Sequence, residues 1–271
     1  MLDPYIESIL IFSGINVILA LSLYLPVSAG LLSLGQGGFM AIGAYVSGYM
    51  TSVLGWPFAV ALIAGGVSAG IVGLLVGLPS LRIKGVYLII MTMGFGEIVR
   101  VFFLNFEPTG AASGMGGIPT ETTLPIVVGV TVLVLLMCFQ IRGSRIGRAL
   151  EAVREDELAA EVIGINLTRI KVAIFGLGAA VAGIGGGLFA HYATFIDPGQ
   201  FGFQRSAEIF IMVVLGGMGN FLGATVGALV VTILPEVLRV GDMQEWRMTF
   251  FGVLLVIIMI VRPMGLIGAR R

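Results

Sequence analysis

Glu97 and Arg100 stand three residues apart in the apolar run from Gly85 to Asn105, so on a helix they share one face. At 1.5 Å per residue Glu97 is about 18 Å into that run, slightly past the middle of a hydrocarbon layer roughly 30 Å thick. A charge at that depth costs about 2.5 to 3.5 kcal/mol on insertion scales, so the pair should face other helices rather than lipid. Two readings fit GFGEIVR (Gly94 to Arg100): a gate or pathway group, or a salt bridge that fixes helix packing. Glu208 falls close to an outer membrane surface and reads as interfacial. The single histidine, His191, ends a run beside Tyr192 and reads as part of an interfacial belt; without a Cys or carboxylate cluster beside it, no metal site is expected. Cys138, the one cysteine, sits inside an apolar run and reads as a small hydrophobe.

Chemistry that would supply energy is missing. Lys84 and Lys171 each follow isoleucine, so no GxxxxGK[ST] loop is present to cradle the phosphates of ATP. The apolar runs also lack the several deep carboxylates or histidines of a proton relay. Passive flow, ion coupling through Glu97, or an energising partner subunit remain.

The most charged stretch, RGSRIGRALEAVREDELAAEVIGIN (Arg142 to Asn166), has a different character. Ile146, Ala149, Leu150, Val153 and Ala160 fall on one helical stripe, interrupted by Glu157, and interleaved charges cover the rest. A solvated surface helix and a docking site for a partner both fit.

The elements that must position these groups are membrane spans. Of 271 residues 58% are apolar, 41 more are glycine and only 11% are charged, too few to cover a soluble domain, so a water-soluble enzyme is excluded. The 15 basic residues balance the 15 acidic ones, and nothing points to nucleic acid. MLDPYIES lacks the positive region of a secretory signal, so the first apolar run is expected to stay as a span. The expected fold is an all-α polytopic membrane protein, a single domain over 1–271 with about eight hydrophobic segments: Tyr5 to Val27, Ser28 to Leu54, Phe58 to Leu78, Gly85 to Asn105, Pro125 to Ile141, Val172 to Ala193, Ala207 to Leu234 and Trp246 to Val261. Pro125 to Ile141 and Trp246 to Val261 are short enough to need membrane thinning or extension into their flanks.

Basic residues set the sides. Arg142, Arg145, Arg148, Arg154, Arg169 and Lys171 share one loop (142–171), and Arg82 and Lys84 share another, so both loops are cytoplasmic. The loop 106–124, with Glu107 and Glu121 and no basic residue, faces outward; its PTGAASGMGGIP stretch reads as flexible. Charge does not place Met1. Ser28 to Leu54 and Ala207 to Leu234 would each run about 40 Å as one helix, too long for one crossing. The second is expected to be re-entrant or broken at GGMGN (Gly216 to Asn220), which would leave Arg262, Arg270 and Arg271 inside. Leu34 to Tyr45 and Met218 to Leu229 share a Gly, a following amide and a Gly-Ala eight residues on, which raises the reading of an internal repeat.

Four stretches carry a resemblance: SLGQGGFMAIGAY (Ser33 to Tyr45), GLPSLRIKGVYLIIMTMGFGEIVR (Gly77 to Arg100), GRALEAVREDELAAEVIGIN (Gly147 to Asn166) and SAEIFIMVVLGGMGNFLGATVGALVVTILPEVLR (Ser206 to Arg239). They are spread along the chain from Ser33 to Arg239, and the whole resembles the membrane permease subunits of bacterial ABC importers for branched-chain amino acids, of the LivM type. The resemblance implies a multi-pass protein of the bacterial inner membrane that works with a second, homologous permease, two cytoplasmic ATPase subunits and a periplasmic or lipid-anchored binding protein. ATP and magnesium would be bound by those partners, with no cofactor in this chain. The implied ATPase-coupling residues are Leu150, Glu151, Val153, Arg154, Glu155, Asp156, Gly164 and Asn166. The loop begins EAV where other ABC permeases have EAA, and its glycine comes only at Gly164. Against the LivM type the chain is short at its N-terminus, which leaves room for one span fewer. A translocation path is then expected where glycine-broken segments meet, Gly35, Gln36 and Gly37 with Gly217, Gly219 and Asn220, lined or locked by Glu97 and Arg100. Urea, short-chain amides or another small metabolite as cargo, and a secondary transporter or channel acting alone, are the alternatives.

Overall fold

The computed structural model describes residues 3–80, 83, 85–237, 252, 256 and 265–267. The expected segment Trp246 to Val261 and the basic residues Arg82, Lys84, Arg262, Arg270 and Arg271 lie outside or almost wholly outside them. Among the described residues ten α-helices follow in chain order: α1 (Pro4–Ser28), α2 (Gln36–Ser52), α3 (Phe58–Ser80), α4 (Val86–Asn105), α5 (Leu124–Gly143), α6 (Arg145–Glu155), α7 (Glu157–Val162), α8 (Leu167–Ala193), α9 (Phe203–Gly216) and α10 (Phe221–Val237). Among the described residues the only β-pairing is an isolated bridge between Met115 and Ile196.

Among the described residues five helices, α1, α3, α4, α5 and α8, are long and apolar enough to cross a membrane. The sequence's eight segments therefore resolve unevenly. Leu124 and the Arg142–Gly143 end extend α5 to 20 residues, about 30 Å, so of the expected accommodations it is extension into the flanks that occurs. α8 begins at Leu167, because the Asn166 side chain accepts the Arg169 N–H at 3.0 Å and caps it. Arg169 and Lys171 thus belong to its first turns rather than to a loop.

The two overlong runs both break. Ser28 to Leu54 divides at residues 29–35, and α2 starts only at Gln36. Gly217, at φ 114°, ends α9, and the chain reverses through Asn220 into α10. Gly216 lies against Gly223 and Gly227 against Met212, so α9 and α10 form an antiparallel hairpin. The two segments compared as a repeat each straddle a helix start, at Gln36 and at Phe221.

α8 is the central helix, with α1, α2 and α3 packed around it. Its glycines make that possible: a methyl group at Gly186 would overlap the Met40 carbonyl of α2, and one at Gly183 would stand 2.8 Å from the Gly65 carbonyl of α3. His191, fully buried, ties the same helices together, since Thr51 Oγ1 lies 3.0 Å from its Nε2 and the Gly187 carbonyl 2.8 Å from its Nδ1. The interfacial role expected of it is corrected by that burial. α5 buries Val127, Val134 and Cys138 along one stripe and exposes Leu133, Leu136 and Phe139.

If the basic connection after α5 faces inside, as its charge implies, the direction of every other helix follows. Gly30, just past α1, packs on Arg154 of α6, so α1 ends inside and its Pro4 end lies outside. This is the side that charge left open. α3 runs inward, α4 outward, α5 inward and α8 outward.

Candidate functional site

Two helices start within the membrane. α2 enters beside the middle of α4: Leu34 N–H donates to Thr92 Oγ1 at 3.0 Å, Gly35 packs against the Thr92 carbonyl, and Gly38 lies against Gly96. α9 enters from the opposite side. After α8 ends at Ala193, residues 194–202 turn back, with Thr194 in the left-handed region (φ 60°) and Ile196 exchanging backbone hydrogen bonds of 2.8 and 3.0 Å with Met115. Ile196, Pro198 and Phe201 are buried on this descent. The outer loop read as flexible is thereby pinned, with Met115, Ile118 and Thr122 buried and Thr122 Oγ1 donating to the Leu188 carbonyl.

The two starts meet. Gly37 N–H donates to Ser206 Oγ at 3.0 Å, and a Cβ at Gly37 would stand 2.8 Å from the Phe201 carbonyl. Glu97, about 17 Å from the first residue of α4, accepts the N–H of Phe203, the first residue of α9, at 3.1 Å. Its other oxygen accepts from Arg100 Nε at 2.6 Å. A carboxylate at a helix N-terminus is favourable through the orphan N–H groups and the helix dipole, so the pair anchors the α9 start.

A second charged group lies beside it. Arg205, in the first turn of α9, donates to Glu208 Oε2 at 2.9 Å and to Asn16 Oδ1 at 2.7 Å; the Asn16 amide donates to Thr232 at 2.8 Å. Asn16 is about 18 Å from the outer end of α1, so this cluster too sits near mid-membrane. Each of its two charges carries the same insertion cost, about 2.5 to 3.5 kcal/mol, that marked Glu97. It borders a cavity of about 330 Å³ between α1, α2, α8 and α9. Glu208 is therefore not an outer-surface residue. The sequence reading missed Arg205 because it began the span at Ala207, and Asn16 because a lone amide inside the first apolar run carries no charge; the available signal was the three-residue spacing of Arg205 and Glu208, the same as that of Glu97 and Arg100.

The expected path residues are only partly brought together. Gly35, Gln36, Gly37, Glu97 and Arg100 cluster around the α9 start, but Gly217, Gly219 and Asn220 form the turn at its far end, about 21 Å away along α9. Asn220 there accepts from Arg142 at 3.0 Å, so this turn sits at the same end as the basic connection after α5; Leu266 N–H donates to the Leu215 carbonyl at 2.9 Å beside it. Gln36 is buried against Ser22 of α1. The freed N–H groups of Leu34, Gly35 and Gly37 are already spent on the hydroxyls of Thr92, Ser33 and Ser206, so they do not await a ligand.

The cytoplasmic connection is two helices rather than one. Ser144 caps α6, and Asp156, whose side chain accepts the N–H groups of Leu158 and Ala159, breaks the stripe and caps α7. Leu150, Val153 and Ala160 are buried against the membrane helices, while Ile146 is exposed. Gly164, at φ 88°, closes α7 and Asn166 opens α8, so Asp156, Gly164 and Asn166 serve as chain punctuation. Lys171 pairs with Glu157 at 2.7 Å and joins α7 to α8. Glu151, Arg154 and Glu155 are exposed. So are Leu158, Val162 and Ile163, each more than 70% exposed, an apolar patch on the cytoplasmic side that the sequence reading did not single out.

Residues 5–259 match the family described as branched-chain amino acid transport system permease component. The chain is 37% identical to the high-affinity branched-chain amino acid transport system permease protein LivM of Escherichia coli K12, across 95% of this chain and 67% of that protein. It therefore spans about two thirds of that relative's length. It is 32% identical to LivH of the same organism across 54% of this chain and 48% of LivH, and 28% identical to a probable LivM of Methanocaldococcus jannaschii across 77% and 69%. No solved structure matches.

Proposed function

The chain belongs to the branched-chain amino acid transport system permease family, and from that premise we propose that it is a membrane-spanning subunit of an ABC importer that carries branched-chain amino acids into the cytoplasm. Separate ATPase subunits drive it, a second, homologous permease completes the membrane part, and a binding protein delivers the cargo from outside, across the bacterial inner membrane. The reading rests most heavily on α6 and α7. Their buried side, Leu150, Val153 and Ala160, fastens them to the membrane helices, and their outer side offers Leu158, Val162 and Ile163 among charges. An apolar centre with a charged rim is the composition of a protein-binding patch.

Movement of an ATPase seated there would be transmitted along two routes. One is the Lys171–Glu157 bridge to α8; the other is the contact of Arg154 with Gly30, which leads through residues 29–35 to the start of α2. Arg154 and Glu155, as expected from sequence, form part of the rim, and the apolar patch carries more of the affinity than they do.

The test is reconstitution of the full importer in proteoliposomes. ATP-dependent uptake of leucine, isoleucine or valine is expected, with no flux through vesicles holding this chain alone. Leu158→Glu with Val162→Glu should lower co-purification of the ATPase at least about tenfold, the loss expected for a buried apolar anchor. Flux through the chain alone would overturn the proposal in favour of a self-sufficient transporter, and undiminished co-purification would remove α7 as the docking element.

A further inference from the structure

We propose that Arg205, Glu208 and Asn16, with the cavity they border, form the site that holds the charged head of a zwitterionic amino acid during its passage. The inference rests on the import reading above and adds the place and the chemistry of transit.

The arrangement has unspent capacity of both signs. A guanidinium has five N–H donors, and Arg205 uses one on Glu208 and one on Asn16 among the described residues. Three remain for a carboxylate, in the planar fork that matches carboxylate geometry. Glu208 uses only Oε2 on Arg205, which leaves Oε1 for an ammonium group. Arg205 Nη1 and Glu208 Oε2 lie 2.9 Å apart, so one small zwitterion can reach both groups. Gln200 and Gln204 line the same cavity and supply neutral donors and acceptors.

The remaining wall suits a hydrocarbon side chain. Phe12, Met40 and Phe189 complete the cavity, which at about 330 Å³ falls at the small end of ligand sites, of about 300 to 1,000 Å³. Phe12 is one turn outward of Asn16 on α1, and Phe189 lies one turn from the outer end of α8, so the cavity sits on the outer side of the cluster. Cargo released outside would meet the apolar wall and the paired charges in one place. Irregular backbone, residues 194–202, borders this space at membrane depth, which is tolerated where it is buried in protein or lines a water-filled cavity. A pair needed for packing alone would require neither the cavity nor the spare donors.

The importer reconstituted with its ATPases, second permease and binding protein provides the test. Arg205→Met should lower leucine uptake at saturating binding protein at least about tenfold while ATP hydrolysis stimulated by the binding protein stays within about twofold of wild type, since one charge-assisted contact is lost in transit. Arg205→Lys, which keeps the charge without the fork, should fall between the two. A second measurement does not depend on how those variants assemble. Gln204→Cys, with Cys138→Ala, should react with a water-soluble thiosulfonate, and leucine-loaded binding protein with a non-hydrolysable ATP analogue should slow the reaction relative to the unloaded binding protein. Wild-type uptake with undiminished uptake by Arg205→Met would overturn this inference alone, as would an introduced thiol that is unreactive or unprotected. Failure of wild-type uptake would instead count against the import reading.

Discussion

The start of α2 and the start of α9 are both helix N-termini inside the membrane, and they settle their exposed backbone in opposite ways. At α2 the freed N–H groups of Leu34, Gly35 and Gly37 end on the hydroxyls of Thr92, Ser33 and Ser206, with Thr92, Ser33 and Ser206 all buried. At α9 the first N–H ends on the carboxylate of Glu97, and the first two turns carry Arg205 and Glu208 beside a cavity. Neutral hydroxyls seal a joint; charges with spare capacity leave it open to a ligand. An unwound segment in a membrane is therefore not by itself a binding site. What decides is whether its polar groups are already spent.

The largest effect that would break this comparison is at the sealed joint. Gly37→Leu would drive a side chain into the Phe201 carbonyl and Ser206 Oγ, both 2.8 Å from the position of a Cβ. Overpacking against backbone should cost about 3 kcal/mol, at the upper end of the usual range. Thermal unfolding of the detergent-solubilised chain should show a clear drop in Tm together with loss of folded protein. An unchanged Tm would mean that the two helix starts are not held in contact.

Glu97→Gln probes the open joint and should cost less. Gln still has a carbonyl oxygen for the Phe203 N–H, but Arg100 loses its counter-charge, for a loss of about 2 kcal/mol, typical of hydrogen bonds to charged groups. If the pair anchors α9, the double variant Glu97→Gln/Arg100→Gln should be more stable than the single one, because no unpaired charge remains. Stability and uptake should fall and recover together. Full stability with lost uptake in the single variant would make Glu97 a pathway group instead of an anchor, the other reading that its sequence position allows.

Much of this was legible in the sequence for a physical reason. Five full-length spans announce themselves because hydrocarbon thickness fixes the length of an apolar run, and α4 matched its expected bounds to within a residue. The break at Gly217 was legible because the run was too long and glycine alone adopts that backbone without strain. The return of 194–202 into the membrane was not. DPGQFG has the composition of a surface loop, and only contacts distant in sequence, Ile196 with Met115 and Phe201 with Gly37, carry it to depth. The glycine segments at 35–37 and 217–220 looked like partners because composition reports that backbones approach closely, without reporting to what. In the cytoplasmic connection the stripe through Leu150 and Val153 was legible from its spacing, whereas the division at Asp156 turned Leu158, Val162 and Ile163 outward.

The smallest of these effects sharpens the comparison most. Thr92 is fully buried; its Oγ1 accepts from Leu34 at 3.0 Å and lies 3.0 Å from the Leu88 carbonyl within its own helix. Thr92→Val keeps the shape but removes the acceptor, so the Leu34 N–H loses its partner. That should cost about 1 kcal/mol, the low end for an unsatisfied donor, because Leu34 is only half-buried. Thr92→Ser keeps the hydroxyl and should lose only the packing of one methyl group. The two variants therefore separate hydrogen bonding from volume at one position. If the α2 joint is sealed by hydroxyls, Thr92→Val should also speed amide hydrogen exchange at Leu34 and Gly35 relative to Thr92→Ser, while exchange at Phe203, held by Glu97, stays unchanged. Equal exchange at Leu34 in both variants would show that shape alone closes that joint, and the contrast with α9 would then rest on burial rather than on spent donors.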